Sequence, residues 1–313
     1  MASTDHVPDI SILIVSWNTL ALTEACLDSI PDSVSASTDV ETIVVDNGST
    51  DGSVEMLRAR NDRILIENGM NLGYAAAVNQ AFARSQAPLV LLLNSDVDLE
   101  PGSVDVLVRF LDERPDVSGV GPLYLNPDGS FQQHHYRLPT LPMLLASSSA
   151  PLRRLPPLAR SFDRYRMLDV DFAEALPVEQ PSASCLLLRR TVLTDGYVLD
   201  EGFPIYFNDV ELAHRLAMRG HELWMTPESR VIHVHGASTR QLGSNLRPQH
   251  LGSLVRYLKR TGSHGSLFVF RVAILAHAAG LRLFRRGRSG PPLRDVVSGL
   301  RGKLGPLPQG PRA

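Results

Sequence analysis

Two cysteines in 313 residues, Cys26 and Cys185, are too few for a disulfide framework. They show neither CxxC spacing nor a nearby second ligand pair, which excludes a cysteine-type zinc site. The N-terminal MASTDHVPDI lacks the basic stretch and apolar run of a secretory signal, so the expected setting is a reducing cytosol. No GxGxxG follows the first apolar run and no GxxxxGKS or GxxxxGKT occurs, which excludes the Rossmann dinucleotide fingerprint and the Walker phosphate loop. Clean membrane spans are lacking too. The most apolar stretch, SLFVFRVAILAHAAGLRLF from Ser266 to Phe284, contains Arg271, His277 and Arg282, and a central Arg costs ~3 kcal/mol on insertion scales.

What remains is a globular composition, 43% hydrophobic and 20% charged, long enough for one large domain with an appendage or two medium ones. The net charge of −2 hides an asymmetry: residues 1–239 carry −15 and residues 240–313 carry +13, so two different surfaces are encoded.

Through residue 125 apolar runs alternate with helix-like segments. Strands are predicted at Ile10–Val15, Glu41–Val45, Ile64–Glu67 and Leu89–Leu93, and helices at Thr19–Ile30, Asp51–Arg60 with Asp51 as its cap, Tyr74–Ser85, and Pro101 to about Arg114. Such alternation with short loops predicts a parallel, doubly wound sheet. Residues 139–181, rich in Pro, Arg and Leu without clear period, read as irregular. Order is expected to return with a strand at Ser184–Leu188, a helix at about Asp209–Arg219, strands near Glu222–Met225 and Arg230–His235, and a helical basic tail from 244.

In an open parallel sheet, ligands bind at the carboxyl ends of the strands. The four predicted N-terminal strands end in Ser16-Trp17-Asn18, in Asp46-Asn47-Gly48-Ser49-Thr50-Asp51, in Asn68-Gly69-Met70-Asn71-Leu72-Gly73 and in Asn94-Ser95-Asp96-Val97-Asp98, so four polar ends converge on one rim. An acid ending the second strand suits a pyrimidine N–H, and the Asn/Asp cluster ending the fourth suits an oxygen-loving cation bridging two phosphates. Together these describe a nucleotide-sugar site. Each residue has a blander reading: Asp46 as a turn residue, Asp96 and Asp98 as solvated loop acids, Asp209 as a helix N-terminal acid, His233 as a structural strand residue, Cys185 as inert core.

The ordered set ILIVSWN, IVVDNGSTDGSVE, NGMNLGYAAAVN, LLLNSDVDLEPGS, VGPLYLNPDGSFQ, SASCLLLRR, FNDVEL and VIHVHGAS, over roughly residues 10–240, resembles the inverting glycosyltransferases of family 2 and, within them, the bacterial rhamnosyltransferase-like branch. The resemblance implies the α/β GT-A fold. It implies a mostly parallel doubly wound sheet, a Rossmann-like nucleotide half at 8–125, a mixed acceptor-binding and catalytic half at 126–240, and a basic helical extension at 241–313. It implies nucleotide-sugar contacts from Ser16, Asn18, Asp46, Asn47, Gly48, Asn71, Gly73, Asn79, Asn94, Ser95 and Asp96, with Asp46 on the base. Asn94-Ser95-Asp96 stands where the family has DxD, so Asp96, with His233, would hold Mg²⁺ or Mn²⁺. Asn94 in place of the first acid lowers the charge of that site and disfavours tight metal binding without nucleotide. Asp209 stands at the catalytic-base position. The motif, usually Glu-Asp-x-Asp, reads Asn208-Asp209-Val210-Glu211 here, which alters the acceptor side at Asn208 and Glu211. His235 has no counterpart in the pattern.

The implied activity moves L-rhamnose from dTDP-rhamnose to a glycan or polyprenyl-diphosphate-linked acceptor, with UDP- or GDP-hexose as alternative donors. A non-catalytic glycan-binding scaffold on a decayed transferase fold is the rival that Asn94 and Asn208 motivate. Arg285, Arg286, Arg288, Arg294, Arg301 and Lys303 follow the apolar tail segment, so an interfacial helix on anionic lipid at the inner face of the plasma membrane stands beside a packed helix pair with a solvated end. No aromatic residues interleave with the basic cluster after Phe284, which argues against nucleic acid as a partner.

Overall fold

The computed structural model describes residues 6–148, 150–234, 236, 247–262, 264–284, 293–304, 307 and 309. The elements in chain order begin with β1 (Ile10–Ser16), α1 (Leu20–Ser33), β2 (Val40–Asp46), α2 (Ser53–Ala59), β3 (Ile64–Glu67), α3 (Tyr74–Arg84), β4 (Leu89–Asn94), β5 (Val97–Leu99), α4 (Ser103–Glu113) and β6 (Val117–Leu125). They continue with β7 (His135–Tyr136), α5 (Leu141–Ser148), α6 (Ala150–Arg153), α7 (Pro156–Tyr165), β8 (Leu176–Pro177), β9 (Gln180–Pro181), β10 (Cys185–Arg189), α8 (Asn208–Met218) and β11 (Glu222–His233). Helices α9 (Arg247–Thr261), α10 (His264–Phe284) and α11 (Leu293–Leu300) follow.

The main sheet runs β3-β2-β1-β4-β10-β6-β11-β5, with β8 on β11. Its N-terminal part is parallel, while β10 is antiparallel to β4 and to β6, and β11 returns parallel to β6. Strands from before and after residue 125 therefore share one sheet. Period-2 alternation sends Ile10, Ile12 and Ile14 to one face, against Cys26 and Leu27 of α1, Leu57 of α2 and Leu107 of α4. Leu13 goes to the other, against Ala77 and Val78 of α3 and Leu212 of α8. Helices on both faces make the sheet doubly wound, and β1 and β4 are almost wholly apolar because both their faces are covered. Cys26 and Cys185 are core residues whose thiols burial pushes up in pKa.

Several elements differ from the sequence reading. Leu141–Ser148, Ala150–Arg153 and Pro156–Tyr165 are helical (α5 to α7), with Pro156 at the start of α7. These helices are short, and one 8- to 10-residue helix spans too few turns for a 3.6-residue period to show. The strand pair expected at 222–225 and 230–235 is one strand, β11, whose register against β6 slips between Thr226 and Arg230, where Pro227 is accommodated in the irregularity. Asp51 sits just outside α2: its carboxylate accepts from Ser53 N–H at 3.1 Å and from Leu20 N–H at 2.9 Å, so it serves the first turns of α2 and α1 together. His235, Arg285, Arg286 and Arg288 lie outside the described residues. Among the described residues, no helix is long and apolar enough to cross a membrane.

Candidate active site

Strand register builds the rim. Ser16 lies opposite Asp46, Asp46 opposite Glu67, and Val15 opposite Asn94, so β1, β2, β3 and β4 end level with one another. A cleft of about 420 Å³ opens there. Asn47, Asn71, Asn94, Ser95, Asp96, Asn208, Asp209 and His233 line it, residues from five separate segments of chain.

Asp46 is fully buried at the end of β2 and is not itself among the cleft-lining residues, which its chain neighbour Asn47 joins. One carboxylate oxygen accepts from Gly48 N–H (3.0 Å) and Ser49 N–H (2.9 Å); the other, Oδ1, is buried with no hydrogen-bond partner. Burial pushes its pKa up, against the opposing pull of the Ser49 and Gly48 donors. Asn47 and Asn71 pin the neighbouring loops together: Asn47 donates to Asn71 Oδ1 at 3.0 Å and accepts from Leu72 N–H at 3.0 Å. The left-handed Gly48 (φ +82°) allows this approach, since a Cβ would lie 2.8 Å from the Met70 backbone.

At the end of β4 the Asn94 amide donates to Ser184 Oγ at 3.1 Å, while its Oδ1 is buried without a partner. Antiparallel pairing of β5 with β11 sets His233 opposite Val97, which brings its Nε2 to 3.5 Å from Asp96 Oδ1. Gln132 fixes that ring. Its Nε2 must donate, because it faces the His233 carbonyl at 3.0 Å, so its Oε1 accepts from His233 Nδ1–H at 2.7 Å. In the neutral ring the lone pair then belongs to Nε2, on the Asp96 side.

Asp209 is the second residue of α8, which follows Phe207 in the left-handed region (φ +67°), a strained conformation for a bulky residue. Asp209 Oδ1 accepts from Val210 N–H at 2.8 Å, and Oδ2 accepts from Gln180 at 3.2 Å. Burial raises its pKa, and both donors oppose the rise. Asn208 holds the turn by donating to the Ile205 carbonyl at 3.0 Å.

Other sequence-predicted residues stand outside the cleft lining. Ser16 is buried against Thr23 at 3.1 Å, and Asn18 Oδ1 accepts from Thr50 N–H at 2.7 Å. Gly73 (φ +92°) lets the third loop meet Pro204, whose Cβ would lie 2.9 Å from an added side chain. Asn79 brackets residues 198–199, accepting from the Val198 and Leu199 N–H groups at 3.0 and 3.1 Å, away from the rim. Glu211 is buried and paired with Arg215 at 3.3 Å and Arg260 at 3.0 Å, which ties α8 to α9.

Sequence reading missed Trp17, Tyr74, His134 and Ser184, which also line the cleft. The His134 ring lies 4.5 Å from that of His233. Trp17 and Tyr74 were in view, inside quoted motifs, but only burial reveals that the Trp17 N–H and the Tyr74 O–H lack partners.

Among the described residues no three His, Cys, Asp or Glu side chains are grouped to hold a metal ion. The donor set of Asp96 carboxylate, His233 Nε2 and the unpartnered Asn94 oxygen fits a cation that takes its remaining ligands from a diphosphate and water.

A doubly wound sheet with a polar cleft at its strand ends, acidic at two points and amide-lined between them, is the place where such α/β sheets bind their ligands. The sequence matches Glycosyl transferase family 2 over residues 11–193. The N-acetylglucosaminyl-diphospho-decaprenol L-rhamnosyltransferase of Mycobacterium tuberculosis is 31% identical over 229 residues, covering 69% of this chain and 74% of that protein. A validoxylamine A glucosyltransferase of Streptomyces hygroscopicus is 34% identical over 99 residues, 30% of this chain and 24% of that protein. Of solved structures, a mannosyltransferase from Pyrobaculum calidifontis in complex with GDP-Man and Mn²⁺ superposes with a TM-score of 0.55 at 17% identity, covering 95% of this chain and 81% of that one. GalNAc-T7 with UDP, GalNAc and Mn²⁺ gives 0.59 at 15% identity, covering 96% and 55%. The chain belongs to glycosyl transferase family 2 and has the GT-A fold.

Proposed function

We propose that the chain is an inverting, metal-assisted glycosyltransferase that moves L-rhamnose from dTDP-rhamnose onto a glycan or polyprenyl-diphosphate-linked acceptor in polysaccharide or cell-wall synthesis. The observation that carries the reading is the meeting of Asp96, Asp209 and His233 in one cleft, with unpartnered buried acceptors at Asp46 and Asn94. Asp46 Oδ1 takes the N3–H of a pyrimidine base, and the Asn47 and Asn71 loops frame the nucleoside. Asp96, His233 and Asn94 would hold Mg²⁺ or Mn²⁺, and the ion would supply Lewis-acid neutralisation of the leaving group's charge. Asp209 removes the acceptor hydroxyl proton as that oxygen attacks the anomeric carbon, and the nucleoside diphosphate leaves from the opposite face. One carboxylate suffices for inversion, unlike the paired acids of glycosidases. The rhamnosyl donor rests on the name and 31% identity of the mycobacterial relative.

The nucleotide work belongs to residues 8–125 and acceptor binding to 126–240. We place the protein in the cytoplasm, against the inner face of the plasma membrane. What supports that contact is the +13 charge of residues 240–313 and the exposed Phe268, Val269, Val272 and Leu275 on α10.

Release of nucleoside diphosphate from dTDP-rhamnose, measured with and without Mn²⁺ and acceptor, tests the reading. Asp209→Asn is expected to keep nucleotide binding and to lose roughly 10²- to 10⁴-fold in turnover. Binding without turnover by the wild-type chain, on any of dTDP-, UDP- or GDP-sugars with lipid-linked or glycan acceptors, would leave only a binding scaffold.

A further inference from the structure

Tyr74 opens α3 at the junction of the two loops that flank the cleft: its N–H donates to the Pro204 carbonyl at 2.7 Å. That contact ties the third nucleotide loop to the segment leading into Asn208 and Asp209. Tyr74 lines the cleft, and its hydroxyl is buried with no hydrogen-bond partner among the described residues. A buried tyrosine O–H normally finds a partner, and leaving one unmade costs about 1–3 kcal/mol. An orphan of this kind in a folded protein calls for a physical reason. Burial, and then the carboxylates of Asp209 and Asp96, push its pKa up, so the hydroxyl keeps its proton and is a donor.

The electrostatics of the cleft say what such a donor is for. A diphosphate-sugar reaching from Asp96 to Asp209 passes two carboxylates, both repulsive to phosphate oxygens. A neutral O–H in the same cleft as both acids supplies a positive hydrogen at no charge cost. We propose that the Tyr74 hydroxyl donates a hydrogen bond to the diphosphate of the bound nucleotide-sugar and is a donor-binding residue of this enzyme. The inference rests on the nucleotide-sugar reading of the cleft given above.

Tyr74→Phe deletes one oxygen and tests it. The probe is whichever of dTDP-rhamnose, UDP-glucose and GDP-mannose most raises the wild-type Tm in the presence of Mn²⁺, set against the matching nucleoside monophosphate. Without ligand, the variant is expected to melt at or above the wild-type temperature, since an unmade bond has been removed. The nucleotide-sugar Kd is expected to rise roughly tenfold or more, the size of one hydrogen bond to a charged group. Monophosphate binding should not change. Equal nucleotide-sugar affinity in variant and wild type, or an equal loss for monophosphate and nucleotide-sugar, would overturn the assignment while leaving the reading of the cleft in place. A wild-type chain that binds none of the three sugars would overturn both. If Tyr74→Phe fails to fold, isolating a stable Tyr74→Trp or Tyr74→Leu chain with unaltered nucleotide-sugar affinity contradicts the proposal equally.

Discussion

Asp209 has a pH signature written into its surroundings. Burial holds its carboxyl above the ordinary carboxylate value, and Gln180 and Val210 N–H pull it back. A base is lost when protonated, so kcat/KM should fall as pH drops, on an acid limb lying above the usual Asp value. Replacing Gln180 by Leu removes a donor to the anion and should move that limb higher still, a shift that a pH–rate profile reads directly; an unmoved limb would show that the limb does not report Asp209. The same elevation has a stability side. Folding favours the protonated carboxyl, so its contribution is full below the unfolded pKa and is lost as pH rises through the folded one. Asp209→Asn should therefore not lower Tm at neutral pH. Gln132 makes a separate prediction. If it fixes the His233 tautomer, Gln132→Leu should weaken Mn²⁺ binding in the presence of nucleoside diphosphate by roughly 10- to 100-fold, as replaced outer partners of metal ligands do. Mn²⁺ titration followed by electron paramagnetic resonance measures it, and an unaltered titration contradicts the lock. The meeting of Asp96, Asp209 and His233 in one cleft matches positions that the sequence marks by the family-like strings they stand in, whereas Asp46, marked the same way, lies outside the lining. Gln132 and Gln180 were not legible in sequence, since their partners lie 101 and 29 residues away and only the fold brings them together.

The last helices do more than extend the chain. Leu254, Val255, Tyr257 and Leu258 of α9 pack on Phe203 and Val210, the flanks of the segment that presents Asp209. Arg260 reaches back to Asp200 and Glu211. Arg260→Ala is expected to cost roughly 1 kcal/mol, because Arg215 still pairs with Glu211 and the Arg260 side chain is 50% exposed. Chemical denaturation checks this, and a loss of several kcal/mol would mean that Arg260 carries the buried Glu211 alone. On α10 the apolar positions divide: Leu267, Phe270 and Ile274 face the core, while Phe268, Val269, Val272 and Leu275 face outward. A double Phe268→Glu, Val272→Glu variant should lose flotation with anionic liposomes and keep its turnover on soluble substrates. Undiminished flotation would remove α10 from any membrane contact. Elements with strong periodicity, β1 to β4 and α1 to α4, were readable from sequence to within a few residues. The short α5 to α7 were not, and β6 passed unassigned because Gly119, Gly121 and Pro122 interrupt its apolar pattern.

At the scale of the molecule, the two halves read from the sequence share a single sheet. The antiparallel β10, inserted between β4 and β6, places Ser184 against Asn94 and brings the later strands alongside the early ones. That insertion carries His233 on β11 to Asp96, and no local pattern announces it. The acidic first 239 residues hold the cleft, and α9 from the basic remainder packs on Phe203 and Val210 beside the segment that presents Asp209. Whether Asp46, Asp96, Asp209 and His233 surround one ligand is measured most directly by a crystal structure of the chain soaked with dTDP-rhamnose and Mn²⁺. The predicted result is a pyrimidine on Asp46 Oδ1, a metal-bridged diphosphate at Asp96 and His233, and an anomeric carbon facing Asp209. Density for the donor anywhere else on the molecule, or a sugar turned away from Asp209, would contradict it.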